Sequence, residues 1–250
     1  MTRLFLTGSE SFIGQALRIA AQNADLQTSG VDSKLPTSWE FEQVDVREPS
    51  LGEHIPASTD ALIHLAAMSR PNSCHGKAHT CFDVNVMGTL NVIKAAREKK
   101  VSQIIFASSE WVYPSFCDGP IAEDHAIDAQ RMTCEYALSK YVSECNLIQD
   151  YKENSGNISI LRFGIVYGPR TDNWSAVESL TNTVATKSTV TVGSKKTARH
   201  FIHVKDIADA IIATVGQRGL NLFNVQGPSL ITLAEIIDHA SMSLEKEVTV

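Results

Sequence analysis

The sequence predicts an α/β protein with a doubly wound parallel sheet and a small C-terminal lobe. Over the first two thirds of the 250 residues, short runs rich in Ile, Leu and Val alternate with amphipathic helical stretches. This alternation is typical of βαβ units, whose strands are buried in a parallel sheet and whose connections are right-handed. The predicted strands cover residues 3–7, 28–32, 40–44, 61–65, 103–107 and 158–163, and the predicted helices cover 12–23, 50–55, 81–99 and 133–154.

The pattern loosens after Gly168-Pro169, where the elements become shorter and more polar. A helix is predicted over 174–186, and Thr232-Leu-Ala-Glu235 has the spacing of a capping box that begins the last helix. The other elements predicted here are strands over 189–192, 201–204 and 222–225 and a helix over 204–215. No repeat or low-complexity linker separates the two parts, so we expect the lobe to fold onto the sheet edge.

Composition argues against several classes of function. The net charge of −6 and the pI near 5.7 argue against a general affinity for nucleic acid or for an anionic membrane. No segment approaches the ~20 continuous apolar residues of a membrane helix, and the first strand leaves no room for a signal peptide. The five cysteines include no CxxC pair, which suits reduced thiols. We therefore expect a cytoplasmic protein.

The turn after the first predicted strand has the spacing of a phosphate-binding loop. In Thr7-Gly-Ser-Glu-Ser-Phe-Ile-Gly14, a Gly-x-x-Gly-x-x-Gly motif has serine in place of its middle glycine. Glycines allow the backbone to approach a pyrophosphate, whose charge lies at the helix N-terminus. An ordinary strand-to-helix turn is the alternative. The predicted cofactor contacts in this loop are Gly8, Ser11, Phe12, Ile13 and Gly14.

Acidic positions extend this prediction towards the adenosine half of a dinucleotide. Asp32 ends the second predicted strand, about 20 residues after the loop. A carboxylate at this position accepts both ribose hydroxyls and repels a 2′-phosphate, which favours NAD over NADP. A solvated acid in a turn is the alternative reading of Asp32. Asp45 and Val46 follow the third strand, and the topology places them near the adenine.

Tyr136-Ala-Leu-Ser-Lys140 places a phenol and an ammonium group one helical turn apart, on the same face of a helix. A free tyrosine has a pKa near ~10. A neighbouring lysine cation favours the phenolate, so we expect Lys140 to lower the pKa of Tyr136 and produce a general acid/base. Alone, the spacing is also that of an ordinary helix.

Several further segments stand in register with this pair: His64-Leu-Ala-Ala67, Asp83-Val-Asn-Val-Met-Gly-Thr89, Phe106-Ala-Ser-Ser-Glu-Trp-Val-Tyr113, Leu161-Arg-Phe-Gly-Ile-Val-Tyr-Gly-Pro169 and Arg199-His-Phe-Ile-His-Val-Lys-Asp206. Together they resemble the extended short-chain dehydrogenases/reductases, the family of nucleotide-sugar epimerases and dehydratases. The resemblance covers nearly the whole chain, with the segments in the family's order.

The resemblance implies a Rossmann-type fold, bound NAD and hydride transfer at a sugar carbon. It assigns Tyr136 as the acid/base, Lys140 as the residue that stabilises the phenolate and binds the nicotinamide ribose, and Ser109 as the hydrogen-bond donor to the reacting oxygen. The implied cofactor site also includes Leu65, Ala66, Ala67 and Asn85, the last on a helix that carries a structural asparagine in the family.

The resemblance also implies a nucleotide-sugar substrate, with Ser109, Glu110 and Arg199 in its binding site. Arg199 would bind the diphosphate, because a guanidinium matches phosphate geometry; a surface arginine is the alternative. Glu110 would assist proton transfer or lie behind the reacting groups. Family members often dimerise through the helices predicted here over 81–99 and 133–154, so a homodimer is expected.

The same resemblance predicts how the chain is divided. Residues 1–168 would form the NAD-binding domain, with 200–226 returning to it, and residues 169–199 and 227–250 would form the substrate lobe. The chain ends soon after its last helix, so we expect a reduced substrate lobe.

Two departures from the family pattern bear on the substrate. Ile165 replaces an asparagine that contacts the substrate diphosphate, which leaves a simple NAD-dependent sugar or sugar-acid dehydrogenase as the alternative. Trp111 stands where dehydratases have a second acid, which disfavours dehydration. A non-catalytic NAD-binding sensor is a further alternative. The Cys and His residues of segment 74–81 have a spacing that suits zinc, but the family uses no metal and none is predicted.

Overall fold

In the computed structural model, residues 1–114, 119–172 and 174–250 are described. The strands are β1 Arg3–Thr7, β2 Gln27–Asp32, β3 Phe41–Gln43, β4 Ala61–His64, β5 Gln103–Ser109, β6 Asn157–Phe163, β7 Ile165–Tyr167, β8 Ala198–Arg199, β9 Phe201–His203, β10 Leu220–Val225 and β11 Ile231–Thr232. The helices are α1 Phe12–Asn23, α2 Pro71–Cys74, α3 Ala78–Phe82, α4 Gly88–Glu98, α5 Glu135–Asn154, α6 Ala176–Thr186, α7 Val204–Thr214 and α8 Leu233–Leu244.

Seven strands form one parallel sheet in the order β10-β6-β5-β4-β1-β2-β3. The predicted fold class, a Rossmann-type doubly wound sheet, is confirmed. Strand order reverses between β1 and β4, and this topological switch opens a crevice at the carboxyl ends of the strands. Ligands of such sheets bind in that crevice, so a binding site is expected among the residues at and after the ends of β1, β2, β4 and β5.

Both faces of the sheet are covered by helices. Along β1, Leu4 and Leu6 belong to the core cluster that includes α1 and α7, whereas Phe5 belongs to the cluster that includes α4 and α5. Alternation of this kind follows from the two-residue period of a strand. Each face of the sheet has its own core, so apolar residues follow one another along the strand without alternating with polar ones.

The C-terminal part contributes to the sheet and also builds a smaller cluster. β10 lies at the sheet edge beside β6, and α7 packs against α1. α6 and α8 pack against each other around a separate core, and β7 pairs with β9 outside the main sheet. This third core consists of Leu180, Val184, Val190, Ile236, Ile237 and Ala240. The predicted division into an NAD-binding domain and a substrate lobe stays a prediction.

The structure corrects three predicted elements. Residues 189–192 form no strand, because their only ladder contact is a single bridge between Thr189 and Thr249. The helix predicted over 50–55 is a 3₁₀ helix, Pro49–His54. The helix predicted over 81–99 is divided into α3, a π-helical turn at Asp83–Met87, and α4.

The capping box that the sequence predicts at Thr232 and Glu235 is present at the start of α8. Within the described residues, no helix combines the length and the apolar character that crossing a bilayer requires.

Candidate active site

The loop between β1 and α1 is a tight backbone turn. A Cβ atom built on Gly8, whose φ is 75°, lies 2.7 Å from Ala66 N, and one built on Gly14 would overlap Gly8 O. Both positions therefore require glycine. Ser11 is the N-cap of α1, and its Oγ accepts a hydrogen bond from Gly14 N at 3.0 Å. Capping explains why serine suits the middle position of the motif.

This loop fits a diphosphate. In the part of the chain that the structure describes, the buried hydroxyl of Ser9 has no hydrogen-bond partner. Helix geometry also gives the amides of Phe12 and Ile13, in the first turn of α1, no intrahelical acceptor. These donors lie at the positive end of the helix dipole, where an anion is stabilised. The residues present thus fit the pyrophosphate of NAD.

Asp32 lies buried at the carboxyl end of β2, next to this loop. Its Oδ2 accepts from Glu10 N at 2.8 Å, and its Oδ1 accepts from Lys34 N at 2.9 Å. Two backbone amides therefore fix the orientation of the carboxylate. Each oxygen retains a further lone pair for a ribose hydroxyl.

The predicted adenine contacts lie after β3. Arg47 Nε and Nη2 donate to the Asp45 carboxylate at 2.9 and 2.8 Å, and this interaction lowers the pKa of Asp45. Val46 is buried, and its carbonyl accepts from Asn91 Nδ2 at 3.0 Å. The charge of Asp45 is thus paired within the protein, and its contact with adenine stays a prediction.

The end of β4 lies directly against the phosphate loop. Leu65 N donates to Thr7 O at 3.0 Å, and Ala66 N approaches Thr7 Oγ1 at 3.4 Å. Leu65 and Ala66 therefore form the wall opposite Gly8. The contact of Leu65, Ala66 and Ala67 with a cofactor stays a prediction. The neighbouring His64 is enclosed, and burial lowers its pKa to about 3, so it is neutral and holds Thr7 and Thr89 in place.

Asn85 lies in the π-helical turn and joins three parts of the site. Its Oδ1 accepts from Met68 N at 2.8 Å, and its Nδ2 donates to Met68 O at 3.1 Å and to Ser139 Oγ at 2.9 Å. The asparagine thus ties the loop after β4 to α5. Single π-helical turns are frequent at functional sites because they redirect one side chain.

The three predicted catalytic residues come together at the ends of β5 and α5. Tyr136 and Lys140 lie in the first two turns of α5, Ser109 ends β5, and all three are buried. Ser109 makes a polar side-chain contact with Tyr136. Lys140 Nζ donates to Ala107 O at 2.7 Å and lies 4.7 Å from the centre of the Phe106 ring. The pair is therefore anchored to the strand that carries the serine.

The expected effect of Lys140 on Tyr136 is wrong for the protein alone. Burial raises the pKa of Tyr136 to about 12, and the contact with Ser109 opposes this shift only in part. Burial also lowers the pKa of Lys140 to about 8, while the nearby carboxylate of Glu144 works against that shift. At neutral pH the phenol is therefore protonated and the lysine is charged. Desolvation, which sequence spacing does not reveal, explains the difference.

Glu110 and Arg199, predicted as substrate contacts, lie close enough for the charge of Arg199 to act on the Glu110 carboxyl group. Burial raises the pKa of Glu110 to about 7, and the charge of Arg199 opposes the shift. The Arg199 side chain is exposed, and its Nη1 donates to Ala198 O at 2.8 Å. A carboxyl group that is half protonated near neutral pH, one residue after Ser109, is suited to proton exchange.

Glu110 should make the stability of the protein depend on pH. Because its folded-state pKa is raised from 4.5 to about 7, its stabilising contribution is complete below about pH 4.5 and is lost as pH rises through 7. Between pH 5 and pH 8 the free energy of unfolding should therefore fall more in the wild type than in Glu110→Gln. Urea titrations across that range measure the difference. The exposed Glu40→Gln serves as the control, and a wild-type curve parallel to that of Glu110→Gln would refute the shift.

A buried polar network, which the sequence analysis missed, supports this centre. Arg162 Nε and Nη2 donate to the Glu144 carboxylate at 3.0 and 2.7 Å, and Ser108 Oγ donates to the same group. Arg162 Nη1 also donates to Tyr113 OH at 2.7 Å, and that hydroxyl donates to Asn224 Oδ1 at 2.7 Å. Glu144 follows Lys140 by one helical turn, a spacing that could have revealed it.

The segment considered for zinc is folded into the site. Cys74 and Cys81 are fully buried and pack against Tyr136, with Cys134 at the edge of the cluster. Burial raises the pKa of the Cys74 thiol to about 12, which makes it a poor metal ligand. Among the described residues, no group of three or more His, Cys, Asp or Glu side chains is arranged to hold a metal. The absence of a metal stays a prediction, and Cys117 lies outside the described residues.

A parallel sheet with a glycine loop after β1, an acid after β2 and a Tyr-Lys pair on α5 defines a class of dinucleotide-dependent enzymes. The chain belongs to the NAD dependent epimerase/dehydratase family, which matches residues 4–226. It is therefore an NAD-dependent enzyme.

Similar proteins agree with this assignment. The chain is 29% identical over 255 residues to a Methanocaldococcus jannaschii protein provisionally named UDP-glucose 4-epimerase, covering 94% of this chain and 81% of that protein. A Streptomyces niveus dTDP-glucose 4,6-dehydratase is 23% identical over 257 residues, covering 94% of this chain and 76% of that enzyme. The fold resembles that of Thermus thermophilus UDP-glucose 4-epimerase in complex with NAD, with a TM-score of 0.85 and 24% identity over 99% and 85% of the two chains.

Proposed function

We propose that the protein is a nucleotide-sugar epimerase that acts at a sugar carbinol through Tyr136, Lys140 and Ser109. The observation that carries the proposal is the convergence of these three buried side chains at the carboxyl end of β5 and the start of α5. Family membership and the epimerases among the similar proteins support it. A dTDP-glucose 4,6-dehydratase is also among the similar proteins, so the assay below distinguishes epimerisation from dehydration.

The cofactor would be held by residues at the carboxyl ends of β1 and β2 and by helix α5. The phosphate loop would bind the pyrophosphate, Asp32 the adenosine ribose, and Lys140 the nicotinamide ribose. When bound, NAD supplies the acceptor for a hydride and a positively charged ring that favours the Tyr136 phenolate.

The side chains of this protein would then move one proton and orient one oxygen. Tyr136 takes the proton of the substrate hydroxyl as its carbon is oxidised, and returns it when the ketone is reduced from the other face. Lys140 stays charged at neutral pH and stabilises the phenolate. Ser109 donates a hydrogen bond to the reacting oxygen. Because oxidation and reduction cancel, the stereochemistry changes without net redox.

The substrate would lie between the end of β5 and the C-terminal cluster. The charge of Arg199 acts on Glu110, the residue after Ser109, and Arg199 is the residue we assign to the substrate diphosphate. Ile165, half-buried in β7, has no side-chain amide that could bind the same diphosphate. A smaller substrate that is oxidised without epimerisation is therefore the second candidate.

One assay separates the candidate functions. The protein is incubated with NAD and with UDP-, GDP- or dTDP-hexoses or free sugar acids, while NADH absorbance and product stereochemistry by NMR are followed. The epimerase proposal predicts an isomerised sugar without net NADH. Net NADH would support the dehydrogenase, and a 4-keto-6-deoxy product would support a dehydratase in which Glu110 donates the proton. Bound NAD without turnover would support the sensor.

Three further expectations stay predictions. We propose a homodimer formed through α4 and α5, a cytoplasmic location, and a substrate lobe built from residues 169–199 and 227–250. Light scattering at micromolar concentration tests the first.

A further inference from the structure

The phosphate loop of this protein contains a buried acid, Glu10. Its side chain forms an ion pair with Arg18 Nη1. Its Oε2 accepts from Thr37 Oγ1 at 3.1 Å, so the carboxylate joins α1 to the loop between β2 and β3. A buried carboxylate beside a phosphate-binding turn is unfavourable for phosphate binding unless its charge is neutralised. Arg18 supplies that neutralisation.

This ion pair lies next to the ribose acid. The Glu10 amide donates to Asp32 Oδ2 at 2.8 Å, so one hydrogen bond separates the Glu10 backbone from the carboxylate proposed to bind the ribose hydroxyls. Arg18 also stacks 4.1 Å from the centre of the Phe41 ring in β3. Its guanidinium is therefore held on the side of the crevice where the adenosine ribose would lie.

There is also space beside Arg18. A cavity of about 260 Å³ is lined by Gln15, Arg18, Ile19, Gln22 and Thr37. Arg18 and Thr37, the two side chains bonded to the Glu10 carboxylate, both line this cavity, so it leaves room beside the guanidinium for a 2′-phosphate. In NADP-dependent proteins of this fold class, an arginine near the ribose acid accommodates that phosphate. Arg18 has the required guanidinium, but that group is already paired with the Glu10 carboxylate.

We infer that Glu10 determines cofactor selectivity: by pairing with Arg18 it keeps a latent 2′-phosphate site closed, so that the protein binds NAD in preference to NADP. The inference rests on the ribose contact proposed for Asp32. Glu10 and Asp32 together place two carboxylates beside the position of a 2′-phosphate, with Arg18 and the exposed Lys34 as the neighbouring cations. Removing the Glu10 charge should therefore free one guanidinium and remove one source of repulsion.

The test measures binding and needs no catalysis. Dissociation constants for NAD and NADP, and for the fragments 5′-AMP and 2′,5′-ADP, are compared by calorimetry in the wild type and in Glu10→Gln. The ratio of the NADP constant to the NAD constant should fall about tenfold or more, since a hydrogen bond to a charged group has that weight. The fragments should show the same change, which assigns the effect to the 2′-phosphate. Glu40→Gln removes an exposed acid from the loop between β2 and β3, the loop that contains Thr37, and should leave the ratio unchanged.

Two variants keep the inference testable if Glu10→Gln fails to fold, as judged by circular dichroism. Glu10→Ala should lower the ratio in the same way. Arg18→Gln, which leaves the acid in place without its partner, should raise it. A ratio that stays constant in any folded variant of either residue would overturn the inference. Failure of the wild type to bind NAD at all would instead contradict the proposed cofactor contacts.

Discussion

Replacing Tyr136 with phenylalanine should lower the turnover of the sugar substrate by about a hundredfold to ten-thousandfold, the range that a general acid/base contributes. The substitution removes only the hydroxyl, so the packing of the ring against Cys74 and Cys81 is retained. Binding of NAD should therefore remain within about twofold of the wild type, since the proposed cofactor contacts lie mainly in other elements. Turnover is measured by NMR at saturating substrate, and NAD binding by calorimetry.

Tyr141→Phe provides the matched control for this prediction. Tyr141 lies on the same helix, five residues further on and only half-buried, so it faces away from the Tyr136 side of α5. It should keep wild-type turnover. Full turnover of Tyr136→Phe would refute the assigned mechanism, whereas loss of NAD binding would show that the phenol has a structural role instead.

The ionisation of Tyr136, and with it the pH dependence of turnover, depends on the charges that surround the phenol. Burial raises the pKa of Tyr136 to about 12 in the protein alone, so an ionised phenol at neutral pH requires additional positive charge. Lys140 is charged below its pKa of about 8 and is already bonded to Ala107 O. The base therefore depends on charges that come together only in the assembled site, and the spacing of Tyr136 and Lys140 alone does not determine its strength.

The elements that can be predicted from the sequence are those whose signals are local. The glycine turn before α1, the position of Asp32 at the end of β2 and the capping box at Thr232 each depend on a few adjacent residues, and all three are present in the structure. The contacts of the turn and of Asp32 with a cofactor stay predictions. The strand predicted over 189–192 failed because a β-type run forms a strand only when a neighbour pairs with it. Tertiary context decides such cases.

The charged groups that the analysis missed have partners far away in sequence. Glu144 is paired with Arg162, and Glu10 is joined to Thr37. The spacing of Lys140 and Glu144 indicates that they share a helix face, but no local pattern indicates that either carboxylate is buried. Only the fold shows that both acids are enclosed and require a cation.

Glu144→Gln should lower the free energy of unfolding by about 3–5 kcal/mol, because it leaves the Arg162 guanidinium buried without a counter-charge. Both side chains of the pair are almost completely enclosed, with exposures of 4% for Arg162 and 1% for Glu144. Burial alone would lower the pKa of Arg162, but its bonds to Glu144 and Tyr113 raise it, so the cation persists at every pH at which the protein folds. Urea unfolding monitored by circular dichroism measures the loss.

The exposed pair of Lys94 and Glu98, one helical turn apart at 3.9 Å, supplies the control: Glu98→Gln should change the free energy of unfolding by no more than about 0.5 kcal/mol. A double variant in which Met replaces both Glu144 and Arg162 should recover much of the lost stability, because it removes both buried charges together. If the double variant is as unstable as Glu144→Gln, the network around Ser108 and Tyr113 matters more than the ion pair. In both variants Lys140 loses the carboxylate that supports its charge, so its pKa should fall below the wild-type value of about 8. As the pH is raised, these variants should therefore lose turnover at a lower pH than the wild type does.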